Sequence, residues 1–359
     1  MNFFKPVEQN LPGWLEENSI YSDIIISSRA RIARNIKGYP YYTKITQRKA
    51  EEIIEFINNA IKNIEDLSKK IFLINLNFLP LESKKFLKER FLATDYLIKG
   101  TNKEIIAEKK ERFAILINEE DHLRIQSISG GFSIKKVYKT ASDIENKLEN
   151  YIEYDFMEEF GYLTACPTNT GTGLRISVMM HLPALSYTKK IKPLFSSLSE
   201  MGLSIRGFYG EGSDSIGSMF QISNQYTLGV SEKEIIEKIE RIVKEIYNIE
   251  KEARNKLIKN NSQSILNKVR RAVNILQYSD SLEINEALEL LSDLRLGVTL
   301  QIIDSLDFKK LNKLLILIQP MHLLNIYNIS PEGFTKEAEN RLRATIIRKY
   351  LYHPVRRIL

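Results

Sequence analysis

The sequence predicts an α+β domain followed by an all-α region, and two observations support this. Up to about residue 255, short apolar or alternating runs of strand length stand between amphipathic helical patterns. From there to Leu359 the pattern is helical throughout, and glycine is sparse. We therefore place a domain boundary between residues 1–255 and 256–359. We expect the leucine-rich second domain to serve self-association or partner docking.

The composition is that of a soluble globular protein. Of 359 residues, 43% are apolar and 27% are charged, and no run of about 18 apolar residues predicts a membrane span. The segment Met1–Pro6 lacks the apolar core of a signal peptide, and a single cysteine rules out an internal disulfide framework, so we expect a cytoplasmic protein. A net charge of +7 allows an anionic partner such as a nucleotide, while no dense basic stripe argues for nucleic acid.

Hydrophobic periodicity assigns the individual elements. The β-branched or alternating runs predict strands at 23–26, 71–79, 113–117, 123–128, 176–180, 203–209 and 220–223. The amphipathic patterns predict helices at 47–68, 82–93, 133–154, 186–200, 231–260, 262–277, 283–293, 307–318 and 335–351. The helix at 231–260 begins with a capping box formed by Ser231 and Glu234.

Three adjacent carboxylates stand at the joint of the strands predicted at 113–117 and 123–128. They are Glu119, Glu120 and Asp121, and Arg124 follows closely. Because like charges repel, a metal, a cationic substrate or a nearby arginine must offset them. A solvated acidic turn would have the same residues, so the remainder of the chain has to decide between a site and a turn.

Two further segments carry groups that suit an anion or a reactive centre. Arg29 and Arg31 are two apart on a predicted strand, so both point to one side, where a phosphate between them would offset their repulsion. A surface strand with scattered arginines is the alternative. Cys166 ends a predicted strand before Pro167 and a loop rich in threonine and glycine, which Arg175 closes. A buried structural thiol is the alternative for this cysteine.

Collected together, these loops predict a site with two halves. The arginines, all at strand ends, suit a triphosphate, because phosphoryl transfer needs positive charge around the transferred group. The carboxylates, including Glu211 and Asp214 of a glycine-rich loop, suit a guanidinium. A guanidinium is protonated at rest, so one carboxylate must accept a proton as its nitrogen attacks.

Three of these motifs resemble the signatures of the phosphagen (guanidino) kinase family: Asn118–Arg124, Cys166–Arg175 and Ser27–Arg31. The resemblance covers about residues 20–250 and implies an antiparallel sheet flanked by helices, with ATP and Mg²⁺ as cofactors. Small-molecule members carry a helical domain before the first arginine motif, whereas here a helical domain follows the catalytic part. That arrangement resembles the bacterial protein-arginine kinases of the McsB type within the family.

The resemblance implies roles residue by residue. Glu120 matches the general base, Glu211 the second carboxylate that holds the guanidinium, and Cys166 the site cysteine. Asp214 and Asn169 match further substrate-binding positions, and Glu119 is expected to orient Mg²⁺ through water. The remaining matches are nucleotide-binding positions: Ser27, Ser28, Arg29, Ala30, Arg31, Arg90, Arg124, Arg175, Ile176, Ser177, Val178, Met179, Arg206, Gly207, Phe208, Tyr209 and Gly210.

The resemblance also implies partners and sets limits. It implies protein substrates recognised through arginine side chains, a zinc-finger-type activator (McsA), a Clp ATPase or protease, a stress-gene repressor, and a homodimer formed by the C-terminal domain. Protein-arginine kinases commonly carry a phosphoarginine-sensing Arg-Asp-x-x-Arg-Ala motif, but in the matching stretch Glu339–Ala344 only Arg343 and Ala344 agree. The rival hypotheses are a kinase of a small guanidino metabolite and a non-catalytic adaptor for arginine-rich segments.

Overall fold

An eight-stranded antiparallel sheet forms the centre of the computed structural model, which describes residues 11–17, 20–208, 216–304 and 306–351. The strands in these residues are β1 (Ile25–Arg34), β2 (Ile71–Asn75), β3 (Glu104–Glu108), β4 (Phe113–Ile117), β5 (Leu123–Gly130), β6 (Phe156–Met157), β7 (Gly161–Tyr162), β8 (Leu174–His181), β9 (Leu203–Gly207) and β10 (Met219–Asn224). The sheet order is β2-β3-β4-β5-β1-β8-β10-β9, and β6 pairs with β7 in a separate ribbon.

Helices in the described residues flank this sheet, and after β10 they follow one another with no strand between them. They are α1 (Gln47–Lys62), α2 (Glu65–Ser68), α3 (Leu81–Glu89), α4 (Asp95–Ile98), α5 (Ile134–Glu149), α6 (Pro183–Tyr187), α7 (Ile191–Glu200), α8 (Glu232–Tyr278), α9 (Ile284–Thr299), α10 (Phe308–Leu317), α11 (Pro320–Ile326) and α12 (Lys336–Leu351). None of the helices in these ranges is long and apolar enough to cross a lipid bilayer.

Alternation along β1 divides the sheet into an apolar face and a charged face. Ala30 and Ile32 are buried in one core together with apolar residues of α1, α5 and the first half of α8. Arg29 and Arg31, one position out of phase, are half-buried on the opposite face. The packed face therefore holds the sheet in place, and the other face is left to build a site.

The helix α8 joins the sheet to the C-terminal helices. It starts at the capping box that the sequence predicts, with Ser231 and Glu234 bonding reciprocally. It then runs for 47 residues and is interrupted only at Asn261, whose φ is −134°. The boundary expected near residue 255 thus falls within α8, because the apolar stripe continues from one core into the next.

The fold class predicted from the sequence is confirmed, whereas several element boundaries are wrong. The helix predicted at 133–154 ends at Glu149, and residues 163–166 before Pro167 form no strand. Helices predicted separately at 231–260 and 262–277 are merged in α8, and α11 was not predicted. Such ends depend on tertiary packing and caps, which periodicity does not report.

A buried ion pair in α8 anchors this helix to the sheet. Glu250 accepts hydrogen bonds from the backbone N–H groups of Ala184 and Leu185 at 3.0 Å each, and Arg254 Nε donates to it at 2.7 Å. The Arg254 guanidinium also donates to the carbonyl oxygen of His181 at 2.9 Å. The pair is satisfied on both sides, so losing one partner strands a buried charge.

We expect Arg254→Ala to lower the free energy of unfolding by about 3–5 kcal/mol, because Glu250 would be left buried without its counter-charge. Urea denaturation followed by circular dichroism measures this. The matched control is Lys256→Ala in the same helix, whose partner Glu252 is exposed, and it should cost no more than about 1 kcal/mol. Equal losses in the two variants would contradict the assigned role of the buried pair.

Candidate active site

A cavity of about 1280 Å³ lies over the charged face of the sheet. Its floor is made by β1, β5, β8 and β9, and its walls come from α3, α4, the loop around Cys166 and the α10–α11 corner. The residues that line it include Arg29, Arg31, Lys85, Lys88, Glu89, Phe91, Thr94, Tyr96, Glu119, Glu120, Arg124, Cys166, Thr168, Asn169, Arg175, Ser204, Arg206, Phe208, Gln221, Gln225, Ile316, Gln319, Pro320 and Met321.

The strand register brings the predicted arginines together. Arg31 of β1 stands opposite Arg175 of β8, and Ala33 stands opposite Arg124 of β5. In an antiparallel pair, opposite residues point to the same face, so these side chains share the face of Arg29. Arg206 of β9 reaches the same cavity from the edge of the sheet. Residues far apart in the chain thus form one cluster of five guanidinium groups.

Mutual repulsion and burial both disfavour the protonated forms of Arg29 and Arg31 in this cluster. Burial and the neighbouring arginines, first Arg175, lower the pKa of Arg29 to about 10. Burial, with Arg29 next, lowers the pKa of Arg31 well below its ordinary value. Both groups stay protonated at pH 7. Arg31 Nε is buried without a hydrogen-bond partner among the described residues. The cavity therefore favours an anion with several oxygen atoms.

Polar neighbours orient several of these guanidinium groups. The guanidinium of Arg29 donates to Gln221 Oε1 at 3.1 Å, and that of Arg175 donates to Ser223 Oγ at 3.1 Å. Arg124 pairs with two carboxylates of the acidic turn, since it donates to Glu119 at 2.7 Å and to Glu120 at 3.1 Å. Arg124 therefore connects the basic floor to the acidic turn.

The acidic turn gives its carboxylates different environments. Asn118 begins the turn at a φ of 56°, and its amide donates to the carbonyl oxygens of Ala50 and Asn102. Glu119 is buried and accepts hydrogen bonds from Thr94, Arg124 and the Glu120 N–H. Glu120 faces the cavity, and burial raises its pKa while Arg124 opposes the rise. Burial also raises the pKa of Asp121, but Asp121 does not line the cavity, so Glu120 is the carboxylate placed to take a proton from a ligand there.

Asp121 ties the acidic turn to the cysteine loop. Its Oδ1 atom accepts hydrogen bonds from Asn35 Nδ2 at 2.8 Å and from the Ala165 N–H at 2.7 Å. Next to Ala165, Cys166 is half-buried, and its Sγ atom lies 3.0 Å from Thr168 Oγ1. Its side chain lines the same cavity as Glu120 and is near enough to lower the Glu120 pKa. This arrangement brings together the predicted base and the predicted site cysteine, which lie 46 positions apart in the chain.

The structure separates the predicted nucleotide-binding residues into two groups. Arg29, Arg31, Arg124, Arg175, Arg206 and Phe208 line the main cavity, and Ser27, Ser177 and Met179 line a small apolar slot beside it. Ser28, Ala30, Ile176 and Val178 are fully buried on the opposite, packed face. Gly207 is buried in β9 and does not line the cavity. The side chains of these buried positions lie outside the cavity, in the strands that carry the arginines.

Arg90 lies beside the cavity but is engaged elsewhere. It is buried, and its guanidinium donates to both carboxylate oxygens of Glu111 at 2.6–3.0 Å. The nucleotide-binding role expected for Arg90 stays a prediction. Four predicted site residues, Tyr209, Gly210, Glu211 and Asp214, lie outside the described residues.

The described residues form no group of three His, Cys, Asp or Glu side chains that could hold a metal ion. Glu119, which the sequence predicts as a magnesium neighbour, uses its carboxylate on three protein donors. The donor set therefore fits a Mg²⁺ ion held chiefly by phosphate oxygens and water, as is usual in kinases. The water-mediated role of Glu119 stays a prediction.

Several residues of the site escaped the sequence analysis. Gln221 and Thr94 position Arg29 and Glu119, and Phe91, Ile316 and Met321 add an apolar wall. Asp121 was named in the acidic cluster, but its role in positioning the cysteine loop was not predicted. These residues have no local pattern that marks their roles, because their positions follow from strand register and from the packing of distant helices.

Comparison with known families agrees with this geometry. The family model for the ATP:guanido phosphotransferase C-terminal catalytic domain matches residues 52–253, more than half of the chain. The chain belongs to the ATP:guanido phosphotransferase family. A second model, the C-terminal domain of the protein-arginine kinase McsB, matches residues 262–356. The family resemblance read from the motifs is thereby confirmed.

Relatives within the family share nearly the whole chain. A protein named protein-arginine kinase from Clostridium tetani is 40% identical over 342 residues, which are 95% of this chain and 99% of that protein. One of the same name from Clostridium acetobutylicum is 38% identical over 95% of this chain and 100% of its own. Another protein of this name, from Halothermothrix orenii, is 38% identical over 88% of this chain and 90% of its own.

Solved structures show the same fold. A crystal structure of lombricine kinase is 27% identical, with a TM-score of 0.58 over 68% of this chain and 69% of that one. The duplicated taurocyamine kinase from Schistosoma mansoni with bound transition-state-analogue components is 22% identical, with a TM-score of 0.59 over 74% of this chain and 40% of that one. The second likeness concerns the fold of the family alone.

The repulsion within the arginine cluster leads to a test by thermal melting. We expect inorganic tripolyphosphate to raise the melting temperature, because it binds the folded state and relieves the repulsion; at 100 times Kd the gain is about 2.7 kcal/mol. Arg29→Gln should melt at a higher temperature than the natural protein without anion, and should gain less from tripolyphosphate. If Arg29→Gln melted at a lower temperature than the natural protein without anion, the arginines would not destabilise the fold by mutual repulsion.

Proposed function

We propose that this protein is a protein-arginine kinase, which transfers the γ-phosphoryl group of ATP to arginine side chains of other proteins. One observation carries the proposal: the cavity joins a cluster of five arginines to Glu120 and Cys166. A cluster of arginines suits a polyphosphate, and a carboxylate beside a thiol suits a guanidinium. The relatives named protein-arginine kinase and the match to the McsB C-terminal domain support a protein substrate.

The proposed chemistry follows from the positions of these groups. The arginine cluster holds the triphosphate and stabilises negative charge on the transferred group. A guanidinium nitrogen forms the new N–P bond, the bond between the γ-phosphorus and the β–γ bridging oxygen breaks, and ADP leaves. The proton of the attacking nitrogen passes to Glu120. Mg²⁺, when bound with ATP, would supply further charge neutralisation at the phosphates.

Glu120 and its neighbours have complementary roles in this proposal. Glu119 holds Arg124, so Arg124 can bridge the phosphates and the acidic turn. Asp121 keeps the cysteine loop at a fixed distance from Glu120. Cys166 and Asn169 line the cavity, and we propose that they contact the guanidinium. We propose Glu211 as the second carboxylate on the guanidinium and Asp214 as a further contact, on the family resemblance alone.

The biological setting is also a proposal that rests on the resemblance. We propose that phosphorylated proteins pass to a Clp-type protease, that a stress-gene repressor is one substrate, and that a zinc-finger activator cooperates in the cytoplasm. We also propose that residues 256–359 act as a separate domain that mediates a homodimer. Sensing of phosphoarginine is not part of the proposal: Arg343 is fully buried and donates to Glu339, Asn340 and two backbone carbonyl oxygens.

A transfer assay with radiolabelled ATP separates this proposal from a small-molecule kinase. We expect label on a denatured protein rich in arginine, and mass spectrometry at neutral or basic pH should locate it on arginine, because the P–N bond is acid-labile. Free arginine at the same guanidinium concentration is the matched substrate. Label on free arginine alone would favour a small guanidino kinase, and no label on either would favour the adaptor hypothesis.

We expect Glu120→Gln to reduce kcat by roughly 10²–10⁴-fold while ATP still binds, because the amide cannot accept the proton. The natural protein should lose activity as pH falls through the raised pKa of Glu120, since a base works only when deprotonated. The variant should lack this acidic limb. Loss of ATP binding in Glu120→Gln, or an unchanged limb, would show that Glu120 is not the base.

A further inference from the structure

The direction of the nucleotide in the cavity follows from the order of the arginines along β1. Arg124 pairs with Ala33 and adjoins Glu120, so the transferred phosphate belongs at that end. Arg31 comes next, and Arg29 lies roughly 7 Å farther along the strand, away from the acidic turn. A triphosphate stretched over these groups therefore delivers its base beyond Arg29.

The cavity beyond Arg29 changes from charged to apolar. Phe91 and Phe208 meet edge to face there, with ring centroids 6.2 Å apart. Ile316 from α10 and Met321 from α11 complete this wall, and both belong to the C-terminal helical region. Planar bases bind well against aromatic and aliphatic side chains. The slot behind the wall holds about 30 Å³, enough for water but not for a base.

The α10–α11 corner is held in the wall by bonds to the catalytic part. Glu89, at the end of α3, accepts hydrogen bonds from the backbone N–H groups of Met321 at 2.9 Å and His322 at 3.1 Å. Its Oε2 atom also lies 2.7 Å from His322 Nδ1. The ring of Phe86 packs on that of His322 with centroids 4.5 Å apart. The position of Met321 is thus fixed by hydrogen bonds between the α10–α11 corner and Glu89.

We propose that this corner of the C-terminal helical region forms part of the purine-base site, with Ile316 and Met321 in contact with the base of ATP. The inference rests on ATP being the phosphoryl donor, as proposed above. It extends that proposal because it makes the helical region a component of the nucleotide site. Nucleotide affinity then depends on residues on both sides of the predicted domain boundary.

The single tryptophan offers a direct measure of binding at this wall. Trp14 is buried, and its ring lies edge to face on Phe91 with centroids 6.0 Å apart. A base that rests against Phe91 should change the Trp14 fluorescence, whereas an anion that meets only the arginines should change it less. ATP and inorganic tripolyphosphate are the two probes, because they share the phosphates and differ in the base and sugar.

We expect Met321→Ala to weaken ATP binding by roughly fivefold to tenfold, the effect of losing part of one buried apolar side chain. Binding of tripolyphosphate, measured by calorimetry, should be unchanged, which also shows that the variant is folded. The matched control is Leu324→Ala, a half-buried residue of the same helix that does not line the cavity. It should bind both probes as the natural protein does.

Three results would overturn the inference. They are an unchanged affinity of Met321→Ala for ATP, an equal loss for ATP and tripolyphosphate, and an equal loss in Leu324→Ala. Failure of the proposed function has a different signature: the natural protein would bind ATP through this wall and yet transfer no phosphoryl group to protein or arginine.

Discussion

Arginine side chains from four antiparallel strands are held on one face of the central sheet, closer together than their mutual repulsion favours. The register of β1 with β5 and β8 sets this arrangement. The apolar packing of the opposite face stabilises the sheet and offsets the repulsion among the arginines. Arg31 Nε is buried without a hydrogen-bond partner among the described residues, and a polyphosphate is the natural counter-charge for such a cluster. A preformed cluster also needs little reorganisation when charge develops on the transferred group, which is what phosphoryl transfer requires of a protein.

The acidic turn depends on the same register. Arg124 belongs to the basic floor and to the acidic turn at once, and Glu119 holds it in place. Asp121 then extends the connection to Ala165, beside Cys166. These short bonds join two electrostatic halves in one cavity: Arg124 pairs with Glu119 and Glu120, and Glu120 remains partly exposed to the cavity. The C-terminal helices take part as well, since Glu89 binds the corner that carries Met321.

The local elements were largely predictable, since strands and helices of this chain carry clear apolar periodicity. The strands at β4 and β5, the capping box of α8 and most C-terminal helices agree with the pattern. Helix ends were less predictable: α5 stops at Glu149 although apolar residues continue to Ile152, and α11 is too short to show a period. Among candidate site residues, the motifs name whole segments, and the structure shows that Arg29 faces the cavity while Ala30 is buried in the core.

The sequence by itself determined which chemistry is possible: guanidinium groups on or beside predicted strands, adjacent carboxylates, a lone cysteine before proline, and the family to which these motifs belong. These are properties of local composition and need no coordinates. The strand ends expected for Arg29 and Arg31 were wrong, because both lie in the middle of β1. Only the tertiary structure decided which groups meet. Register places Arg31 opposite Arg175, the turn brings Glu120 to Cys166, and packing sets Glu111 on Arg90 and α11 into the cavity wall. The physical reason is that such contacts join residues tens to hundreds of positions apart, where no local pattern records the partner.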